Sequence, residues 1–289
     1  MTLAGRLRLR AGLVMVPPLL WTAIFLFIPY VITLVYSFYT KQFPTFVPDF
    51  QFGNYLQLLQ DPQYYNVLLR TLKIAGATAL LALLLGYPLA YFLVFKVRSP
   101  GLRAVLYMAT IVPLWVSYLL RAYTWKTILG SEGVLNSFLI WSGISDSPSE
   151  WFLYSQFAMV ITLTYIFIPF MVMPIYSALE KIPGNLAEAS KDLGVGPIRT
   201  FCRIVLPLSM PGVIAGFTFT FCLSFGDFIA PFLVGGPDGA MVATVIQSQF
   251  GSALNWPLGS ALSIVMLIIV LTIISLSDRL ERSGRLDLQ

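Results

Sequence analysis

Long apolar runs separated by short polar and often basic stretches set the pattern of this chain. Six runs, residues 13–36, 67–95, 102–125, 151–179, 204–230 and 258–277, are long enough to cross a membrane. A helix needs about 20 residues to cover roughly 30 Å of hydrocarbon, and it satisfies its own backbone polar groups where no water can. Charges in 67–95 and 102–125 lie near the ends of those runs, whereas Asp227 falls inside 204–230. Helix breakers also occur inside the runs: Pro169 and Pro174 in 151–179, Gly86 and Pro88 in 67–95. In lipid, such breaks persist only where neighbouring helices or a water-filled path satisfy the freed groups, so they mark either packing kinks or a gated path.

Composition narrows the class. The chain has 289 residues, 57% hydrophobic and 11% charged, with a mean hydropathy of +0.81, well outside soluble globular averages. The expected fold is all-α and integral to the membrane, a single transmembrane domain over residues 1–289. Most of the 18 Lys and Arg residues fall before the first run, between the second and third, between the fourth and fifth, and after the sixth. Basic residues concentrate in cytoplasmic loops, so both termini are expected in the cytoplasm. The formal charge of +5 follows this alternation, and no basic block with interleaved aromatic rings stands apart to suggest a nucleic-acid partner. The start, Arg6-Leu7-Arg8-Leu9-Arg10 before an apolar run, imitates a secretory leader. That run is too long for a leader core and ends without a small-x-small site, which points to an uncleaved first span.

Histidine is absent, no four-cysteine or carboxylate cluster replaces it, and no Gly-x-x-x-x-Gly-Lys-Ser/Thr run is present. Catalysis, a metal site and an ATP-binding loop are therefore not expected on this chain. Cys202 and Cys222 read as packing residues rather than a bridge, one in a cytoplasmic loop and one in a span.

The polar segment 180–207 stands out between the fourth and fifth runs. Asn185 is placed to cap a helix, Glu188 to return the bond as in a capping box, and Gly194 to supply a left-handed stop. The result is one short helix, about 12 Å long. Gly196-Pro197 then redirects the chain, and Pro207 lies near the start of the fifth run. A projecting helix of this kind is either a handle for another protein's groove or an ordinary connector.

The spacing Glu188-Ala189-Ser190, Gly194 and Ile204-Val205-Leu206-Pro207 resembles the cytoplasmic coupling loop of binding-protein-dependent ABC importer permeases, with Ser190 where that pattern usually has a second Ala. Phe52-Gly53-Asn54-Tyr55, Gly86-Tyr87-Pro88-Leu89-Ala90-Tyr91, Leu120-Arg121-Ala122-Tyr123 and Gly133-Val134-Leu135-Asn136 are similar to the permeases of spermidine/putrescine-type importers. So are Pro169-Phe170-Met171-Val172-Met173-Pro174 and Asn255-Trp256-Pro257-Leu258-Gly259-Ser260-Ala261. The resemblance implies a type I ABC importer permease fold with six transmembrane helices and a cytoplasmic coupling helix, in the inner membrane of a bacterium. It assigns ATPase coupling to Asn185, Glu188, Ala189, Ser190, Gly194, Leu206 and Pro207. The implied partners are a second permease subunit, a cytoplasmic ABC ATPase dimer carrying ATP and Mg, an extracytoplasmic substrate-binding protein and membrane lipid. The chain itself would bind no cofactor and would form half of a translocation path worked by alternating access.

Candidate pathway residues cluster in the fifth run. Gly212, Gly216, Thr220, Ser224 and Asp227 recur at helical spacing and form one stripe, small and then polar. Glycines four apart usually mean close helix contact, and the polar half either continues that contact or lines a path. An acid inside a span is a site by default. The rise from Pro207 to Asp227 is about 30 Å, so the carboxylate falls near the outer end of the span, where it can also simply stay hydrated. If the substrate is a polyamine, as the subfamily implies, Asp227 would hold an ammonium group, with Tyr165, Phe221 and Phe228 adding cation-π attraction. Tyr118, Tyr123, Trp125, Trp141, Trp151 and Tyr154 read as an interfacial aromatic belt. Arg121 either repels cations, pairs with an acid of the partner permease or snorkels to the interface, and no transport role is assigned to it.

Other solutes remain open among similar permeases: an organic cation, an amino-acid derivative, thiamine, a phosphonate or iron. The rival class, an ion-gradient-driven secondary transporter, needs ion-coordinating groups near the midplane on broken helices in repeated halves. The chain shows no inverted repeat and offers only Asp227.

Overall fold

The first apolar run forms α1, Val14–Tyr36, which contains a π-helical turn over Ala23–Phe27. None of its membrane-length window is buried, so its apolar side chains face outward all round. The structure is a computed structural model and describes residues 14–286 apart from Phe43, Glu150, Gly184, Asn185, Ala187, Glu188, Ala189, Lys191 and Leu193. The chain divides into two compact units, one reaching to Pro62 and including Ile246–Ile268, the other made of Gln63–Val245 with the segment from Ile269 onward.

In the first unit, α1 leads into an antiparallel pair, β1 (Thr40–Gln42) and β2 (Thr45–Val47), with Thr40 opposite Val47. The helix α2, Gly53–Gln60, follows. The Phe-Gly-Asn-Tyr motif has a local task here. Asn54 Nδ2 donates to the carbonyls of Ser37 (2.9 Å) and Tyr39 (2.8 Å), and the Tyr55 hydroxyl lies 2.7 Å from Ser37 Oγ, so the motif closes the turn that leaves α1. Phe46 stacks on Trp256 at 6.0 Å, and Lys41 Nζ donates to the Ala253 carbonyl at 2.7 Å.

The second unit holds most of the remaining helices. They are α3 (Pro62–Phe95), α4 (Pro100–Ile111), α5 (Tyr118–Leu129), α6 (Val134–Trp141), α7 (Gln156–Glu180), α8 (Leu206–Phe225) and α9 (Ile229–Val234), while α10 (Val242–Phe250) and α11 (Trp256–Leu286) each have residues in both units. The run 102–125 is not one straight helix. Pro100–Trp115 and Tyr118–Trp141 form a pair bent by 94°. A 3-10 turn over Val112–Trp115 contains Pro113, and extended Val116 and Ser117 (ψ 138° and 134°) interrupt the ladder before α5 begins. Proline withholds an N–H, and extended backbone cannot pass the helical bond pattern on.

The α7 helix begins at a Ser155 cap whose Oγ accepts from Ala158 N at 3.1 Å. Its buried residues serve two cores. Met159, Leu163, Ile166 and Phe167 pack with Ile74, Ala122, Leu233 and Met241. Met171, Val172, Ile175 and Leu179 pack with Tyr87, Leu93, Val205 and Val213. The α8 helix lies along α7 at close range. A Cβ on Gly212 would sit 2.6 Å from the Pro174 carbonyl oxygen and the Ala178 Cβ, and one on Gly216 would sit 2.8 Å from the Met171 carbonyl oxygen. Only glycine permits that backbone approach.

Candidate functional site

The segment before α8 is the first candidate region. Asn185, Glu188 and Ala189 lie outside the described residues, while Leu186, Ser190 and Asp192 are helical. Gly194 adopts φ 71°, and Val195 N donates to the Ser190 carbonyl at 3.0 Å, the closing bond of a Schellman-type helix end. The Ser190 side chain points inward. It is 5% exposed, and its Oγ lies 2.8 Å from Thr200 Oγ1, which also donates to the Gly196 carbonyl at 3.2 Å. Serine at this position thus braces the end of the short helix against the next turn, Pro197–Thr200.

From there a π-helical turn, Phe201–Val205, runs into α8, whose first residues are the half-buried Leu206 and Pro207. Pro207 sits where a helix start tolerates proline. Phe201 meets Tyr87 and Tyr91 of α3 edge-on, both at 5.7 Å, and the Tyr87 hydroxyl lies 2.9 Å from Ser209 Oγ. A cavity of about 270 Å³ opens beside this contact, lined by Tyr91, Phe95, Val195, Pro197, Phe201 and Val205. Ile198 next to it is 79% exposed. The contacts of this region are structural: Ser190–Thr200 ties the end of the short helix to the turn before α8, and Phe201 ties that turn to α3.

The second region is the far end of α8. Sequence alone places Asp227 inside a continuous span. In the structure α8 stops at Phe225, and Asp227 occupies the break before α9. Its Oδ1 accepts from Ala230 N at 2.8 Å, capping α9, and its Oδ2 accepts from the Tyr118 hydroxyl. The residue is only 8% exposed. Thr220 and Ser224 are fully buried, and their hydroxyls, like those of Thr162 and Thr164 on α7, have no hydrogen-bond partner among the described residues. Phe221 is buried in a stack with Phe217 (6.5 Å) and Phe225 (5.8 Å). Tyr165 and Phe228 are exposed, Tyr165 against Trp125 at 5.6 Å. The candidate pathway set is therefore divided: Asp227 lies at a break, Thr220, Ser224 and Phe221 are enclosed by protein, and Tyr165 and Phe228 stand outside.

Two residues that sequence reading set aside belong to this region. Tyr118, assigned to the aromatic belt, donates to Asp227 and packs on Phe167 at 6.2 Å. Arg121 does not snorkel. It is 7% exposed, its Nη1 donates to the Ile166 carbonyl at 3.2 Å, and its guanidinium carbon lies 5.8 Å from the Tyr118 ring centroid. The available signal was their spacing: residues three apart share a helical face, and an ionisable group inside an apolar run is costly unless it has partners.

Comparison with known proteins agrees with this architecture. Residues 82–283 match the family described as the binding-protein-dependent transport system inner membrane component. The chain is 40% identical over 251 residues to the spermidine/putrescine transport system permease protein PotB of Escherichia coli (strain K12), covering 86% of this chain and 90% of that protein. It is 34% identical over 280 residues to the inner membrane ABC transporter permease protein YdcU of the same organism, covering 93% and 88%. Among solved structures, a bacterial alginate ABC transporter in complex with an alginate-bound periplasmic protein superposes with a TM-score of 0.76 at 20% identity, covering 96% of both chains. The fold is thus the type I permease fold of ABC importers. With a family match over most of its length and close relatives along nearly all of it, the chain belongs to the inner membrane components of binding-protein-dependent transport systems.

Proposed function

We propose that this chain is a permease subunit of an ATP-driven polyamine importer, forming half of the path for spermidine- or putrescine-like cations. The observation that carries the substrate class is the 40% identity to a spermidine/putrescine permease across 86% of the chain. The assembly would comprise a second permease, two cytoplasmic ATPase subunits that bind ATP and Mg, and an external binding protein that delivers substrate. This chain does no covalent chemistry. Closure of the ATPases moves the segment around Glu188, Ser190 and Gly194, and the pull reaches α8 through Leu206 and Pro207. The path then exchanges between two helix arrangements whose relative stability the ATPases and the binding protein shift. The extended chain of contacts from Ser190 through Thr200 and Phe201 to α8 and α3 supports that route.

At the other end of α8, the Asp227 carboxylate is our choice for the group that meets a substrate ammonium. It has acceptor capacity beyond its bonds from Tyr118 and Ala230. The exposed rings of Tyr165 and Phe228 would add cation-π attraction, while Thr220, Ser224 and Phe221 support the site from its buried side.

The test is uptake of labelled spermidine and putrescine by vesicles containing the full complex. Glu188→Ala is expected to abolish ATP-driven uptake and loosen ATPase association. Asp227→Asn should lower polyamine uptake about tenfold while the ATPases still bind, the size expected for losing a charged hydrogen-bonding partner. Normal uptake by Asp227→Asn removes the counter-ion role. Uptake that survives ATP depletion supports a gradient-driven carrier, and ATP-driven uptake of a different solute reassigns the substrate.

A further inference from the structure

Two interruptions of helical structure and one proline inside a helix meet at the first turn of α5. The first is the bend at Val116 and Ser117, immediately before Tyr118. The second is the break after Phe225, where Asp227 accepts from the Tyr118 hydroxyl and caps α9 through Ala230 N. The third place is Pro169 inside α7, which supplies no N–H to the Tyr165 carbonyl although the helix runs unbroken from Gln156 to Glu180. The adjacent carbonyl, Ile166, receives Arg121 Nη1 at 3.2 Å. Tyr118 and Arg121 are three residues apart on α5 and touch each other, with the guanidinium 5.8 Å from the phenol ring. Tyr118 also packs on Phe167, one residue from the carbonyl that Arg121 holds.

We propose that Tyr118 and Arg121 are positioning residues that pin the α8–α9 break and its Asp227 to the Pro169 turn of α7, so that the bend before α5, the break and that turn move as one body during transport. Each of these places alone is a soft point, because at least one bond that stiffens a helix is missing there. A buried guanidinium is costly to leave unpartnered, and Arg121 places Nη1 on the Ile166 carbonyl, three residues before Pro169, while its Nε has no hydrogen-bond partner among the described residues. Joined through α5, the soft points lose their independent freedom, and displacement of α8 from its coupling end carries Asp227 with it. Without the pin, α8 can move while the Asp227 break stays behind, so ATP is consumed without displacing substrate. This inference rests on the proposed importer function, and it concerns how Asp227 is held rather than whether it touches substrate.

The experiment uses the complete complex in vesicles, with the assembled amount of complex, spermidine uptake and ATP turnover without binding protein measured for each variant. Tyr118→Phe removes one oxygen and keeps the ring. It is expected to leave assembly at the wild-type level, lower uptake about tenfold and raise turnover without binding protein several-fold, because one bond to a carboxylate is lost. Arg121→Met should shift the same quantities in the same direction, and Arg121→Lys, which keeps a donor, should recover much of the loss. The double variant Tyr118→Phe with Arg121→Met should be no worse than the poorer single one, since residues acting through one unit are not additive. If Arg121→Met fails to assemble, Tyr118→Phe and Arg121→Lys carry the test. Normal uptake and normal turnover in Tyr118→Phe overturn the proposal, as do independent, multiplying losses in the double variant. A wild-type complex without ATP-driven spermidine uptake overturns the importer reading itself, an outcome separate from any effect of the variants.

Discussion

Ser190 shows how a departure from a family pattern acquires a physical cause. Where a second alanine is usual, this chain has a hydroxyl that is buried and bonded to Thr200 at 2.8 Å. Removing it leaves the Thr200 hydroxyl with the Gly196 carbonyl as acceptor, so no buried group is orphaned. Ser190→Ala is therefore expected to cost only about 1 kcal/mol, the net worth of one neutral hydrogen bond. A thermal midpoint lowered by a few degrees, with ATPase association within about twofold of wild type, is the expected result. Ser190→Leu puts a larger apolar side chain where a buried hydroxyl bonds Thr200 and should weaken ATPase association more than Ser190→Ala does; equal behaviour of the two variants would mean that the side chain is not enclosed.

The contact between α7 and α8 is decided by backbone rather than by side chains. A Cβ at Gly212 would lie 2.6 Å from the Pro174 carbonyl oxygen, and backbone cannot swing aside as a flexible side chain can. Gly212→Val is expected to separate the helices and destabilise the fold by about 1–3 kcal/mol, measured as a lower unfolding midpoint in detergent. Gly76→Ala on α3 is the control, since a Cβ there meets nothing within 4 Å and the midpoint should hold or rise slightly. This contact was legible in sequence, because Gly212 and Gly216 four apart have few other meanings, and the straight spans were legible from hydropathy. The bend between α4 and α5 was not. Val116 and Ser117 carry no glycine or proline signal, and Pro113 alone is compatible with a mild kink. The break at Asp227 was hidden for a similar reason: Asp227 continues the stripe of Gly212, Gly216, Thr220 and Ser224, whose period looks helical until Tyr118, from a distant part of the chain, supplies the carboxylate's partner. Pairings across long sequence separations leave no local trace, which is why Tyr118 and Arg121 read as boundary residues.

At the scale of the whole chain, orientation turns on the bent pair. Besides it, five helices among the described residues are long and apolar enough to cross a membrane. If Pro100–Trp115 and Tyr118–Trp141 together cross once, the loop before α7 lies opposite the segment between α3 and α4, and the segment holding Cys202 returns to the first side. If the pair instead dips and returns, Lys181, Arg199 and Arg203 fall opposite Lys96, Arg98 and Arg103. The basic residues favour the single crossing, because their clusters then share one face, the cytoplasmic one. Cys202 and Ser147 are both exposed, which makes them suitable reporters. In intact cells, a membrane-impermeant thiol reagent should leave Cys202 unmodified and should react with Ser147→Cys in a Cys202→Ser, Cys222→Ser background. Inverted vesicles should give the reverse. Labelling of Cys202 from outside the cell would mean either a returning pair or an inverted chain, and both place the segment around Glu188 away from any cytoplasmic ATPase and remove the physical basis for coupling through it.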